Sequence, residues 1–476
     1  MNTFSINTLG CKVNQYESQQ IRELLERLGL RRSDSSGKPD LVVVNTCCVT
    51  HTASAKSRQY IRKIRRLHPD AVIVVCGCLP MIYTGESTPK TENIHFIKKR
   101  DDLAKILGQI ALGPHLHIRE GNDGCAPKSS GCPQGPGPNN TIKSKNAPKI
   151  KHKKELCNFQ RLSPLQSYYG QTRAFLKVQD GCDGLCTYCI IPKTRPIVHS
   201  RPVNEILKEA QALVQSGHKE IVITGINLGA YGQNSVRREN WPNHQNNQLA
   251  DLLDKIAQIT GLTRIRLSSI EPADVTPYLL DIFCKHRNIM PHLHLSLQSG
   301  SDAVLKRMCR QYRAEQVREK VDMIKSKLDR PAITTDIIVG FPGETDEDFE
   351  KTVSLAEYIG FAKIHVFKFS PRKGTPAAKL PDRIDNRIIN KRSEIFRELD
   401  VELGRKFRDK FIGAPAAVLI ESHNGRPSGR CERYFTVDVV KKEKSDLKFQ
   451  IKNNDLVKVR LIKNGNNSMA GQVEGR

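Results

Sequence analysis

Residues 179–195 read QDGCDGLCTYCIIPKTR and put three thiols, Cys182, Cys186 and Cys189, on one short loop without a fourth. Four cysteines normally hold an iron-sulfur cube, so a loop that offers three leaves one iron open to a substrate or cofactor. The spacing C-x3-C-x2-C therefore points to a reactive centre. The competing reading is a zinc knuckle completed by His199 or by a more distant cysteine, which would be closed and structural.

Downstream of the loop, KEIVITGINL, RIRLSSIEP, HLHLSLQSG, AITTDIIVGFPG and AKIHVFKFS read as strands, alternating with helical patterns such as EILKEAQALVQSG and SDAVLKRMCRQY. Such alternation predicts parallel strands with right-handed crossovers, here a partial (β/α) barrel over residues 168–400. Functional groups in such barrels gather at the carboxyl ends of the strands. That rule singles out Asn227, Ser268, Glu271, Gln298 and the turn Gly340–Gly343. The plainer role for Ser268 or Gln298 is to satisfy buried backbone groups, and for Gly225, Gly340 and Gly343 to make turns.

Upstream, Cys11 follows FSINTLG, Cys47 follows LVVVNT and Cys78 ends AVIVVCGC, so each stands just beyond an apolar, β-branched run. QYESQQIRELLERLGL carries Ile21, Leu24, Leu25 and Leu28 at helical spacing with Gly29 as its stop, and SAKSRQYIRKIRRL repeats the pattern with Tyr60, Ile61, Ile64 and Leu67. The pattern gives a second α/β unit, flavodoxin-like, with three cysteines converging on one strand-end edge. Cys48 and Cys76 read as core residues.

With these motifs together, TLGCKVNQYES, VNTCCVT and VCGC followed by the three-cysteine loop, the chain resembles the radical S-adenosylmethionine methylthiotransferases over nearly its whole length. The resemblance implies a 4Fe-4S cluster on Cys182, Cys186 and Cys189 that binds S-adenosylmethionine and cleaves it to a 5'-deoxyadenosyl radical. It implies an auxiliary 4Fe-4S cluster on Cys11, Cys47 and Cys78 that supplies sulfur, and cofactor contacts from Tyr188, Asn227, Ser268, Glu271 and Gln298. GCKVN resembles the branch that modifies N6-threonylcarbamoyladenosine in transfer RNA, whereas GCQMN marks the isopentenyladenosine branch and GCPKN the ribosomal-protein aspartate branch. An electron donor such as flavodoxin or ferredoxin is implied as well. Two segments depart from the family pattern: RPIVHSRP after the cluster loop, and CLPMI after Gly77.

The rest of the chain fits a polyanionic partner. A net charge of +26 and 76 Lys and Arg residues suit phosphate neutralisation. Fourteen cysteines, no basic-then-apolar start in MNTFSINTLG and no run of membrane-spanning length predict a cytoplasmic protein without a membrane partner, with metal sites rather than disulfides. The expected domains are 2–118 (α/β), 119–167 (a linker or insertion), 168–400 (radical core) and 405–472. The linker is too rich in Gly, Pro, Ser and Lys to pack, and its Cys125 and Cys132, with Cys157, read as bystanders. In the tail, AAVLIES, ERYFTVDVV, KFQIK and DLVKVRLIK predict a small β-barrel resembling the OB-like TRAM module, with Arg426, Arg430, Arg433 and Tyr434 as candidate RNA contacts. The alternatives are the same chemistry on isopentenyladenosine or a ribosomal protein, or a non-enzymatic RNA-binding metalloprotein.

Overall fold

The computed structural model describes residues 1–33, 37–82, 93–112, 162–237, 247–422, 426–440, 451–465 and 468–474. The glycine- and lysine-rich stretch with Cys125, Cys132 and Cys157 lies outside them.

The first unit contains β1 (Thr3–Thr8), α1 (Lys12–Arg27), β2 (Arg31–Arg32), β3 (Leu41–Thr46), α2 (His51–Leu67), β4 (Val72–Gly77), α3 (Leu79–Ile82), β5 (Ile94–Phe96) and α4 (Leu103–Leu112). Its strands form a parallel sheet in the order β2-β1-β3-β4-β5. β3 is buried at every position, as a central strand covered on both faces must be. α1 packs Ile21, Leu24 and Leu25 into this core, each burial stabilising by about 2 kcal/mol. Tyr16 on the same helix reaches into the next core, where its hydroxyl bonds Glu209.

The second unit holds β6 (Arg173–Lys177), β7 (Gln179–Asp180), α5 (Ile191–Thr194), β8 (His199–Ser200), α6 (Val203–Gln215), β9 (Glu220–Thr224), α7 (Gln248–Ala257), β10 (Arg264–Leu267) and β11 (Ser269–Ile270). It continues with α8 (Pro277–Lys285), β12 (His292–Gln298), α9 (Asp302–Arg307), α10 (Ala314–Lys327), β13 (Ala332–Val339), α11 (Asp346–Ile359), β14 (Lys363–Lys368) and α12 (Asn386–Asp409). Parallel ladders run β6-β9-β10 and β11-β12-β13-β14, giving the open arc of a partial barrel. SDAVLKRMCRQY is helical only over its first half, because Cys309 turns into the left-handed region at φ +54° and starts a new direction before α10.

The third unit is a closed barrel of β15 (Pro415–Ser422), β16 (Ser428–Arg430), β17 (Thr436–Val440), β18 (Leu456–Asn464) and β19 (Ser468–Val473), in the order β15-β16-β17-β19-β18. KFQIK falls mostly outside the described residues, and its last two residues are in no strand. Two short strands that the sequence pattern does not announce, β16 and β19, complete the closure. β16 needs Gly429, since a Cβ there would lie 1.9 Å from the Leu419 carbonyl oxygen.

This barrel docks on the partial barrel through buried charge. Glu220 and Arg266, 0 and 1% exposed, pair at 2.9 Å, and Arg266 donates to the carbonyls of Cys431 and Glu432. Tyr434 stacks on His292 at 4.3 Å, with Arg173, Arg266 and Arg430 around its ring. Arg433 pairs with Asp329. Tyr434 and Arg433 therefore hold the two units together instead of standing free for RNA, the Arg430 side chain is engaged by Glu421 and Tyr434 within the small barrel, and of the four expected contacts Arg426 alone is exposed.

Candidate functional site

The three-cysteine loop leaves β7 through Gly181, whose φ of +77° and close approach leave no room for a side chain: a Cβ would lie 1.7 Å from the Ile197 carbonyl oxygen. Backbone amides then face the sulfurs, Gly184 to Cys182 and Ile191 to Cys189, both at 3.4 Å. Arg310 Nη1 donates to Cys186 Sγ at 3.1 Å. Burial pushes Cys182 up to about 12 and Cys189 up to about 11, so both thiols keep their protons until a metal replaces them.

Cys47 and Cys78 lie directly after β3 and β4, and Cys11 lies three residues past the end of β1; these are three adjacent parallel strands, so one edge of the sheet gathers all three. Gly10 permits the approach, at φ +124°: a Cβ there would lie 2.6 Å from that of Cys47. Cys11 Sγ bonds Asn14 Oδ1 at 3.3 Å, and the same asparagine binds the Thr46 carbonyl at 2.8 Å, tying the first cysteine loop to the second. Burial raises Cys47 to about 11. Cys78 moves down, first because the Cys48 thiol donates to it and further because the Arg195 guanidinium stands beside it. Cys48, which reads as a core residue in the sequence, thus packs against Cys78 and Ile190 at this edge, while Cys76 is in the core.

Neither trio has the dimensions of a single-ion site. Among the described residues, only His294, Asp336 and His365 form a set of three whose ligand atoms all lie within 4.8 Å of one another. A tetrahedral zinc would draw thiolate sulfurs to about 3.8 Å, whereas a cube spreads its cysteines along its corners. The sulfurs of neither trio are drawn that close, and three thiol donors at each site suit a cluster with one open iron.

The trios are coupled through Arg195, at the end of the cysteine-loop segment. It contacts Cys78, makes a two-pronged pair with Glu17 at 3.1 and 3.0 Å and binds Asp180 at 2.7 Å. Lys177 joins Asp180 at 2.9 Å, and Arg100 joins both acids. Burial, with Arg100 next, pushes Lys177 down to about 7, while the surrounding cations hold Asp180 well below the usual carboxylate range. His199 lines a cavity of about 280 Å³ beside this network, facing Tyr16, Lys177 and Arg201.

The remaining expected residues share the strand-end rim. Asn227 follows β9 and its amide binds Gln179; Ser268 follows β10, and its buried hydroxyl has no partner among the described residues; Gln298 ends β12 at φ +68°. Glu271 follows β11 and pairs with Arg310 at 3.1 Å. Tyr188 packs beside Val304, Met308, Phe341 and Ala377. Gly225 is a close approach, its Cβ position 3.0 Å from Gln179, whereas Gly340 and Gly343 turn at φ +76° and +74°. Arg310 is the site residue that sequence reasoning misses. Its one trace is a cation directly after Cys309, where the helical pattern breaks.

The Radical SAM superfamily profile matches residues 176–356, and that of the Uncharacterized protein family UPF0004 matches residues 3–97. The fold and the open cysteine loop thus define a radical S-adenosylmethionine enzyme. Threonylcarbamoyladenosine tRNA methylthiotransferase MtaB of Bacillus subtilis is 35% identical over 86% of this chain and 83% of its own, and the Thermotoga maritima protein of the same name is 35% identical over 92% of each. The chain belongs to the radical S-adenosylmethionine methylthiotransferase family, whose cofactors are S-adenosylmethionine and 4Fe-4S clusters. The tRNA-2-methylthio-N(6)-dimethylallyladenosine synthase of Corynebacterium efficiens is 31% identical over 99% of this chain and 89% of its own. Among solved structures, the radical S-adenosylmethionine methyltransferase TsrM from Kitasatospora setae shares the fold, with a TM-score of 0.51 at 14% identity over 79% of this chain and 74% of that one.

Proposed function

We propose that this enzyme adds a methylthio group to C2 of N6-threonylcarbamoyladenosine in transfer RNA, in the cytoplasm. The observation that carries the reading is the pairing of two cysteine trios at the strand-end rims of two parallel units, joined by Arg195. In it, Cys182, Cys186 and Cys189 hold the cluster that binds S-adenosylmethionine, and Cys11, Cys47 and Cys78 hold a second. The names of the relatives at 35% identity support the threonylcarbamoyl substrate.

An adenine C2–H is unactivated, so bound S-adenosylmethionine and the clusters supply the hydrogen-abstracting, sulfur-donating and methyl-donating chemistry. The chain's own residues position and screen. Arg310 holds Cys186 and Glu271 in one fork; Glu271, Asn227, Ser268, Gln298 and Tyr188 surround the cofactor; Arg195 fixes the distance between the trios. The domains divide as 2–118, 119–167, 168–400 and 405–472, with the last as a TRAM-like RNA-binding module. A flavodoxin or ferredoxin supplies electrons. No helix among the described residues is long and apolar enough to cross a membrane.

Nucleoside mass spectrometry of transfer RNA from a deletion strain tests the reading. The 2-methylthio derivative of threonylcarbamoyladenosine is expected to vanish, to return with the wild-type gene, and to stay absent with Cys11→Ala or Cys182→Ala. Its persistence in the deletion strain contradicts the assignment.

A further inference from the structure

Arg372, on the loop after β14, is a buried cation without a counter-ion among the described residues. It is 8% exposed, and its Nη2 donates to Ser54 Oγ at 2.8 Å, while Nε and Nη1 have no hydrogen-bond partner among those residues. The other buried arginines of the site do face carboxylates, Arg195 with Glu17 and Asp180, and Arg310 with Glu271. Burying a guanidinium without an anion is strongly unfavourable, and each unpaired buried N–H adds to the penalty. A folded chain that keeps such a group has a ligand for it.

Contacts on both sides of Arg372 lead to the cysteine trios. Ser54 is the fourth residue of α2, and Ser57, one turn on, donates to the Cys47 carbonyl at 3.0 Å. On the other side, a Cβ at Gly374 would lie 3.6 Å from Ile190 Cδ1, and Ile190 follows Cys189 and packs with Cys48 and Cys78. The Ala377 amide donates to the Thr187 carbonyl of the three-cysteine loop at 2.9 Å, which fixes the segment carrying Arg372. The guanidinium accordingly acts on Cys47 and Cys48 from one unit and on Cys189 from the other. Helix α2 starts three residues after Cys48, so its positive end adds to the charge on this gap.

We infer that the free Nε and Nη1 donors of Arg372 hold a small sulfur anion, hydrosulfide or methylthiolate, beside Cys47 as the incoming sulfur of the reaction. This rests on the proposed function, in which each product carries away one sulfur atom, so further turnover requires sulfur to be replaced at the amino-terminal trio. Nε and Nη1 together offer three N–H groups to such an anion. Cys47, Cys48 and Ile190 are all buried, so the anion enters without its water shell. That favours weakly hydrated hydrosulfide over a carboxylate or a phosphate.

The test titrates reconstituted, desalted holoenzyme with sodium sulfide and separately with sodium formate, following the EPR spectrum of the reduced clusters, with iron quantified in each preparation. Affinity for S-adenosylmethionine is measured alongside by equilibrium dialysis. Wild type is expected to respond saturably to sulfide and not to formate. Arg372→Gln is expected to weaken sulfide binding by about tenfold or more, with affinity for S-adenosylmethionine unchanged. Arg372→Lys keeps the buried charge and loses the planar set of donors; it is expected to retain full iron and to weaken sulfide binding by about threefold. Unchanged sulfide affinity in whichever variant keeps its iron overturns the proposal, as does a loss of S-adenosylmethionine affinity in its place or an equal response to formate. A wild type that holds the iron of one cluster only and does not respond to sulfide overturns the second cluster of the proposed function itself.

Discussion

Arg310 donates to the Cys186 sulfur over 3.1 Å while its other nitrogens hold Glu271 and the Tyr312 hydroxyl, at 3.1 and 3.0 Å. One planar fork thus fixes a thiolate, a carboxylate and a phenol together, a task a single ammonium cannot perform. Arg310→Lys keeps the buried charge beside Glu271 and is expected to fold. Losing a donor from the cluster's sulfur is expected to shift its midpoint potential to a more negative value and to slow S-adenosylmethionine cleavage by about tenfold. Spectroelectrochemical titration checks the first, and 5'-deoxyadenosine release the second; an unmoved potential contradicts the contact.

The two trios are expected to load independently, because each is built on its own sheet. Replacing Cys11, Cys47 and Cys78 together by Ala is expected to leave about half the iron of the reconstituted wild type, with S-adenosylmethionine still cleaved under reduction. Replacing Cys182, Cys186 and Cys189 is expected to leave half the iron without cleavage. Iron and sulfide quantification reads both, and an amino-terminal variant with full iron content contradicts the second cluster.

Acid is expected to loosen the seam between the partial barrel and the small barrel. Burial, with Arg266 next, holds His292 well below its ordinary value of 6.5, so it stays neutral beneath Tyr434. The unfolded chain binds a proton below pH 6.5 that the native state refuses, so this contribution is full above pH 6.5 and declines as pH falls, approaching about 1.4 kcal/mol per pH unit. Wild-type stability is therefore expected to drop more steeply than that of His292→Phe between pH 6.5 and 5. Parallel denaturation curves across that range check it, and equal slopes contradict it.

RNA contacts from the small barrel are expected on its outer cations, since Arg433 and Tyr434 are committed to the seam. Lys452, Lys458 and Lys463 are exposed on and beside β18. Changing all three to Gln is expected to weaken transfer-RNA binding and to flatten the slope of log affinity against log salt by about 0.7–0.9 for each phosphate that no longer meets a lysine. A salt titration with an unchanged slope removes this face from the RNA path.

The strand-end cysteines are legible in the sequence because strands such as LVVVNT are short, apolar and β-branched, and a parallel sheet gathers the residues just after its strands at one edge. Helix α1 is equally plain from Ile21, Leu24 and Leu25. Arg310 is hidden because its partners, Cys186 and Glu271, are distant in sequence and no periodicity marks such a fork. Tyr434 and Arg433 read as RNA contacts because an arginine that binds another unit's backbone carbonyls has the same composition signature as one facing solvent. The barrel strands β16 and β19 escape because Gly429 and Gly471 weaken the alternating pattern that announces a strand.

The most direct measurement of the central claim is the anaerobic reaction of the reconstituted enzyme with purified transfer RNA, followed by mass spectrometry of the digested nucleosides. With S-adenosylmethionine and a reductant, RNA bearing threonylcarbamoyladenosine is predicted to yield the 2-methylthio derivative, and RNA bearing isopentenyladenosine to remain essentially unreacted. Preferential methylthiolation of isopentenyladenosine would contradict the substrate, and methylthiolation of neither would contradict the account as a whole.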